Sequence, residues 1–252
     1  VRPYVLAEIT WADARDTAYD LAVLPWGATE PHNLHLPYAT DVILAGGVAT
    51  EAARRAWERG ARVLVLPAVP FGSNAMQLGL GPTVEMRPST QALVLRDVVA
   101  SLEAAGIGRL AIVNGHGGND FKPLVRELQA KTDVFLCALD WWRAADARPF
   151  FAEPGDHAGA LETAAVMHLR PDLVRPLAEA GDGAARRWRV DAFNEGWAWA
   201  PRDWRQVTAD TGVGDPREAT PEAGAAFVDA CAERIAAFFV DLAALDPADA
   251  YA

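Results

Sequence analysis

Serine and cysteine are both scarce in this 252-residue chain, and the shortage removes several chemistries at once. The three serines are Ser73, Ser89 and Ser101, and none sits in the G-x-S-x-G turn of a serine hydrolase. The two cysteines, Cys137 and Cys231, lie in apolar runs that suit buried free thiols. Neither has the polar surroundings of a nucleophile, and no CxxC pair offers a thiolate metal site. Lysine and arginine together number 23 against 34 acidic residues, a formal charge of −11 with no basic stripe. That balance argues against nucleic acid and against an anionic membrane surface. No apolar run reaches membrane-spanning length, and the N-terminal stretch lacks a basic region followed by an apolar core. A reduced, cytoplasmic setting is therefore expected.

What is present is ordinary globular material, 51% hydrophobic and 23% charged. The length predicts one domain over residues 1–252 rather than two small ones. Four short apolar runs, 21–24, 63–66, 110–113 and 134–139, are bounded by turn-forming residues and do not alternate, as expected for strands covered on both faces. Helical spacing is predicted over 42–59, 90–105, 121–131, 157–169 and 222–242. Thr220-Pro221 before the last of these reads as a cap followed by proline at the first helical position. Alternating strands and helices predict an α/β fold with a parallel sheet and helices on both faces. Residues 178–216 break the rhythm with glycine, arginine, aspartate and four tryptophans, Trp188, Trp197, Trp199 and Trp204. We expect this stretch to cover the mouth of a site or to meet another subunit, with at least one of Trp197, Trp199 and Trp204 bordering the substrate.

Four of the five histidines fall in three loop-like segments: PWGATEPHNLHLPYATD (25–41), NGHGGN (114–119) and GDHAGALET (155–163). The first two follow predicted strands directly, where ligands gather in α/β sheets. Glu30 and His32 point the same way in an extended segment, and Asp41 falls at a helix start that favours a carboxylate. With His116 they provide nitrogen and oxygen ligands suited to Zn²⁺ or Mn²⁺. His168, among Met167 and Leu169, is expected to be structural. NGHGGN lacks the GKS/T ending of a phosphate loop and reads as a tight turn after a strand.

These blocks, with LPWGATEPHNLHLPYATD read from Leu24 and TGVGDPREATPEAG later in the chain, resemble the creatininase (creatinine amidohydrolase) family in order and spacing, over roughly residues 20–240. The resemblance implies a three-layer αβα sandwich around a mainly parallel sheet, two divalent metals per subunit and a homo-oligomer, commonly a hexamer. It implies hydrolysis of C–N amide bonds in creatinine, in formamido-pyrimidines or in short modified peptides. Glu30, Asp41 and His116 match the ligands of one metal, and His32 with the shared Asp41 those of the other. Creatininase has a further Glu two residues after the counterpart of His116, where this chain has Gly118. Glu162 is the expected replacement, as ligand or as base. A second departure is Glu153-Pro154, where creatininase has a Trp-Asp pair near its substrate. His157 is expected to protonate the leaving nitrogen or to stabilise the oxyanion, and His35 to orient a ligand. The expected enzyme is a binuclear amidohydrolase using hydroxide generated on two metals, zinc first, with manganese or iron as alternatives. The rival from another class is a metal-binding protein without catalysis.

Overall fold

The four apolar runs form strands because each is short, rich in branched side chains and closed by a turn. In the computed structural model, which describes residues 1–251, the order is α1 (Trp11–Ala14), β1 (Leu21–Trp26), α2 (Thr40–Glu58), β2 (Val63–Val65), α3 (Pro88–Ala104) and β3 (Arg109–Asn114). Then follow α4 (Phe121–Gln129), β4 (Phe135–Asp140), α5 (Ala160–Leu169), α6 (Asp191–Glu195), α7 (Trp204–Val207) and α8 (Pro221–Ala244). All pairings among these strands are parallel, in the order β2-β1-β3-β4. Pro25 stands inside β1, normally a poor place for proline. Its carbonyl accepts from Val69, so its nitrogen faces the same flank, beyond the point where β2 ends at Val65, and no ladder bond is lost.

The sheet sorts its side chains strictly by parity. Leu21, Val23, Val63, Val65, Ala111 and Val113 join the apolar faces of α2, α5 and α8. Ala22, Leu24, Trp26, Leu64, Leu110 and Ile112 join α3 and α4 on the other side. This is the expected three-layer arrangement. The helix ends follow local chemistry. Thr220 accepts the Ala223 amide with Pro221 in the first turn of α8, Asp120 caps α4 through Lys122, and Gly60 at φ +96° lets the chain leave α2. The expected helix at 157 begins only at Ala160, because Ala158 takes φ +51° and Gly159 stays extended. His168 is exposed on the last turn of α5, so it is not the structural histidine expected. No helix among the described residues is long and apolar enough to cross a membrane.

The strand order puts the site in place. The chain passes from β1 to β2 on one flank and later to β3 on the other, so the loops after β1 and β3 diverge beside each other at a topological switch point. Gly27 and Gly115 bring α2 down onto this point. A Cβ on Gly27 would meet the Val42 amide nitrogen at 2.5 Å, and one on Gly115 would overlap the Asp41 carbonyl.

One contact of this kind tests the packing of the helical layer. A Cβ on Gly224 of α8 would drive into the Ala164 carbonyl of α5, where only backbone could give way. Gly224→Ala gains helix propensity of about 1 kcal/mol but should lose more to overpacking, for a net cost of about 1–3 kcal/mol. A melting temperature equal to the parent's would mean that α5 and α8 separate freely.

Candidate metal centre

Six titratable side chains converge at the switch point. Glu30 and His32 come from the loop after β1, Asp41 from the first turn of α2, His116 from the loop after β3, His157 from the turn before α5, and Glu162 from the first turn of α5. Potential ligand atoms within 4.8 Å of one another make three triads: Glu30–Asp41–His116, His32–Asp41–Glu162 and Glu30–His32–His157. The first two bring together the residues expected from the sequence, Glu162 among them, and they share Asp41.

The rings are aimed by the backbone. His32 Nδ1 lies 3.1 Å from the Glu30 carbonyl, His116 Nε2 3.1 Å from the Ser73 carbonyl and His157 Nε2 2.9 Å from the Pro31 carbonyl. A carbonyl only accepts, so each of these nitrogens carries a hydrogen, and the other nitrogen of each ring faces inward, where the neutral ring offers a lone pair. Those inward atoms face carboxylates. His32 Nε2 is 3.0 Å from Asp41 Oδ1, His116 Nδ1 is 3.0 Å from Glu30 Oε1 and 3.1 Å from Asp41 Oδ2, and His157 Nδ1 is 3.7 Å from Glu30 Oε1. Glu30 Oε1 and Asp41 Oδ2 are buried and receive no hydrogen bond. Lone pairs of nitrogen and oxygen at such distances repel unless positive charge lies among them. The donor set therefore fits divalent cations, with imidazole and carboxylate ligands suited to zinc or manganese.

The electrostatics make the same demand. Burial opposes charge on His32, but Asp41 beside it, with Glu162 and Glu30 near, raises its pKa to about 10. His116 rises well above its usual value against the same burial, through Glu30 and Asp41. Asp41 is held well below the ordinary carboxylate range by the two histidines despite its burial. Burial lifts Glu162 to about 7, helped by Asp41. Burial and then a charged His32 push His157 down to about 4, and the same pair of causes brings His35 to about 4. The protein groups alone thus call protons onto His32 and His116, and a metal ion in each pocket would meet the same need.

Sequence reasoning missed the supporting partners. Gln77 Nε2 donates to Glu30 Oε2 at 2.6 Å, and the Ala158 amide donates to Glu162 Oε2 at 2.6 Å. The polar glutamine in a Gly-rich stretch carried no periodic signal. Asn114 and Asn119, at the two ends of NGHGGN, shape its turn: Asn114 Oδ1 accepts from the His116 amide and from Asn119 Nδ2, each at 3.1 Å. His35 does not reach the centre. Its Nε2 lies 2.8 Å from the Thr163 hydroxyl, beside Glu162 in sequence, which ties the β1 loop to α5.

Above the cluster opens a cleft of about 1910 Å³. Trp204 is buried against the His157 ring at 4.7 Å between centroids, and Trp188 and Trp199 line the walls. Trp197 is 76% exposed, bonds to Glu195 and does not line the cleft. Much of the 178–216 stretch thus lines the cleft above the cluster.

The four-stranded parallel α/β fold thus carries a buried carboxylate–imidazole cluster whose two ligand triads share one aspartate, a donor set that fits two metal ions. The comparisons name the family. The creatininase (creatinine amidohydrolase) profile matches residues 7–239, and the chain belongs to that family. It is 32% identical over 227 residues to the mycofactocin precursor peptide peptidase of Mycobacterium tuberculosis, covering 85% of this chain and 84% of the relative. It is 28% identical over 200 residues to the creatinine amidohydrolase of Pseudomonas putida, covering 67% and 73%. The crystal structure of a Bacteroides fragilis protein provisionally named creatinine amidohydrolase superposes with a TM-score of 0.94 at 41% identity, covering 98% of this chain and 99% of that one.

Gly118 proves to be a packing requirement as well as an absent ligand. A Cβ there would overlap His116 Nε2 and lie 2.6 Å from the Ser73 carbonyl, so the ring fills the space a side chain would need. Restoring a glutamate at 118 in place of Glu162 is therefore sterically blocked. Gly118→Ala should tilt the His116 ring and weaken zinc affinity by about 10–100-fold, as losses of ring orientation do. Zinc titration against a competing chelator measures this, and an unchanged affinity would mean the ring has room to spare.

Proposed function

We propose that this chain is a hydrolase that holds two divalent metal ions and cleaves a C–N amide bond of a small molecule. The observation that carries the reading is the buried Asp41 carboxylate, with one oxygen turned to each of two ligand triads. Glu30, Asp41 and His116 would hold one ion, and His32, Asp41 and Glu162 the other, with zinc first and manganese or iron(II) suited to the same donors. Bound there, such a pair would supply hydroxide at neutral pH and polarise the amide carbonyl.

The chain's own groups do the rest. His157 has Nε2 committed to the Pro31 carbonyl, so Nδ1 is the atom through which it can exchange a proton. With its pKa depressed it rests neutral, and Nδ1 can take a proton and return it to the leaving nitrogen. Trp204 packs on the ring and keeps water from that side. Gln77 steadies Glu30, and the Ala158 amide steadies Glu162. We read the protein as cytoplasmic and as a homo-oligomer; exposed Met76, Leu78 and Trp197 offer apolar surface for such contacts.

A second reading, a peptidase on a short modified peptide, is favoured by the cleft, whose volume exceeds what a metabolite-sized ligand needs. The likeness to a mycofactocin precursor peptide peptidase points the same way. A formamido-pyrimidine deformylase is a further variant of the same chemistry. Release of ammonia, formate or amine from creatinine, simple formamides and short peptides separates these readings. Two bound metals with no turnover on that panel would favour a non-catalytic metal protein.

Two substitutions test the ligand sets. Asp41→Ala should remove at least one of two metals, with activity falling at least about 10²-fold, beyond the range of outer-ligand changes. Full occupancy in that variant, by plasma emission, would sink the bridging role. Glu162→Gln should bring the stoichiometry toward one; two metals with lost turnover would instead make Glu162 a base.

A further inference from the structure

We infer that the substrate carries an anionic group, a carboxylate or a phosphate, at a distance from the scissile amide, and that Arg186, Arg187 and Arg189 receive it. The inference rests on the proposed hydrolase reading and narrows its substrate class.

The first observation is an imbalance in charge pairing. This is an acidic chain of net charge −11, and most of its surface arginines are matched by a carboxylate. Arg54, Arg96, Arg148, Arg170, Arg175 and Arg217 all have such partners. Among the described residues, Arg186, Arg187 and Arg189 form no ion pair, although they stand within four positions of one another. All three line the same cleft as Glu30, Asp41 and Glu162. Lys122, one of only two lysines in the sequence, lines that cleft too and is likewise unpaired. The carboxylates that line the cleft outside the cluster already have partners. Asp156 binds Arg202 at 2.6 Å, Asp203 binds Gln206 at 2.8 Å, Asp140 accepts from Asn114 at 2.9 Å, and Asp120 caps α4.

The second observation is that the backbone carrying these cations is held in place. The Arg186 amide donates to the Val207 carbonyl at 2.8 Å. Asn194 brackets Trp188, accepting from its amide at 3.1 Å and donating to its carbonyl at 2.9 Å. The segment's neck is fastened to the metal-ligand loop. Asn33, buried at φ +53° beside His32, donates to the Gly181 carbonyl at 3.1 Å and accepts the Gly181 amide at 2.9 Å. Its own amide donates to Thr211 Oγ1 at 2.9 Å, so both ends of the arm meet at one residue. Asp210 closes the neck again by accepting the Gly183 and Gly212 amides, each at 2.9 Å. An arm tied this way holds the backbone that carries these guanidiniums at a fixed offset from the cluster. Guanidinium groups bind carboxylate and phosphate in a bidentate fashion, and a cleft walled by low-dielectric protein focuses such a field.

The test has a turnover arm and a binding arm, both on zinc-loaded protein. N-formylglycine and N-formylglycinamide are formamides of matched size that differ in one charge. Wild type should prefer the anionic member by about tenfold or more in kcat/KM, as expected for a charged hydrogen-bonded contact. In R186A/R187A/R189A the preference should collapse toward unity, and the corresponding triple lysine variant should recover part of it. In the binding arm, succinate and inorganic phosphate are titrated by tryptophan fluorescence into wild type and the triple alanine variant. A tenfold or greater loss of affinity for one of them identifies the group recognised. Equal affinities of both proteins for both anions would overturn the inference, whether or not any amide is hydrolysed. Failure of turnover with the affinity loss intact would leave the anion site standing and count against the hydrolase reading.

Discussion

Everything at this site depends on the cost of burying three carboxylates together. Glu30 and Asp41 are almost wholly buried, and Glu162 is partly so. An uncompensated carboxylate in such surroundings would cost several kcal/mol. The chain meets the demand by surrounding the carboxylates with imidazoles whose outer nitrogens are already engaged by main-chain carbonyls. In the neutral rings the hydrogen is thereby directed away from the centre, leaving a volume that favours cations. Asp41 matters most because its two oxygens serve two pockets, so the geometry of both is fixed by one residue at the start of α2.

That position follows from topology. The switch point between β1 and β3 opens a crevice at the carboxyl ends of the strands, and α2 starts in it. The helix dipole favours the carboxylate at that start, and glycines at 27 and 115 allow the approach. Glu30, His32 and His116 then need only short loops to reach Asp41. α5 supplies Glu162 from the opposite side because Ala158, in a left-handed conformation, delays the helix and turns its amide onto the glutamate.

The sheet and the major helices were legible in the sequence because buried strands and amphipathic helices carry periodic or continuous apolar signals. The observed β1 and β3 cover the predicted runs with shifts of at most two residues, β4 starts one residue late, at Phe135, and β2 stops one residue early, at Val65. The meeting of Glu30, His32, Asp41 and His116 was legible through residue type beside predicted strand ends, whereas Glu162 entered only through the resemblance to creatininase, which has a glutamate where this chain has Gly118. What was not legible depends on contacts distant in sequence. Gln77 lies 47 positions from Glu30, and Asn33 148 from Gly181. No local pattern announces such a pair. The onset of α5 was misjudged because the histidine and alanine at 157–158 are compatible with helix, while tertiary contacts to Pro31 and Val213 hold them out of it.

The irregular arm shows why residue type and placement must be read together. Taken alone, 178–216 is a stretch of glycine, arginine and tryptophan without periodicity. Its two ends, though, are joined through Asn33, which sits next to a ligand of the candidate centre. The same hydrogen bonds that close the neck therefore register the arm against the cluster, and Trp204 completes the link by packing on His157. A loop fastened at this point cannot shift without straining the ligand loop. The arm is thus free to vary its exposed face, where Trp188, Trp199 and the unpaired arginines stand, while its anchor remains part of the centre. On the proposed reading, the buried cluster would set the chemistry and the exposed face of the arm would select what reaches it.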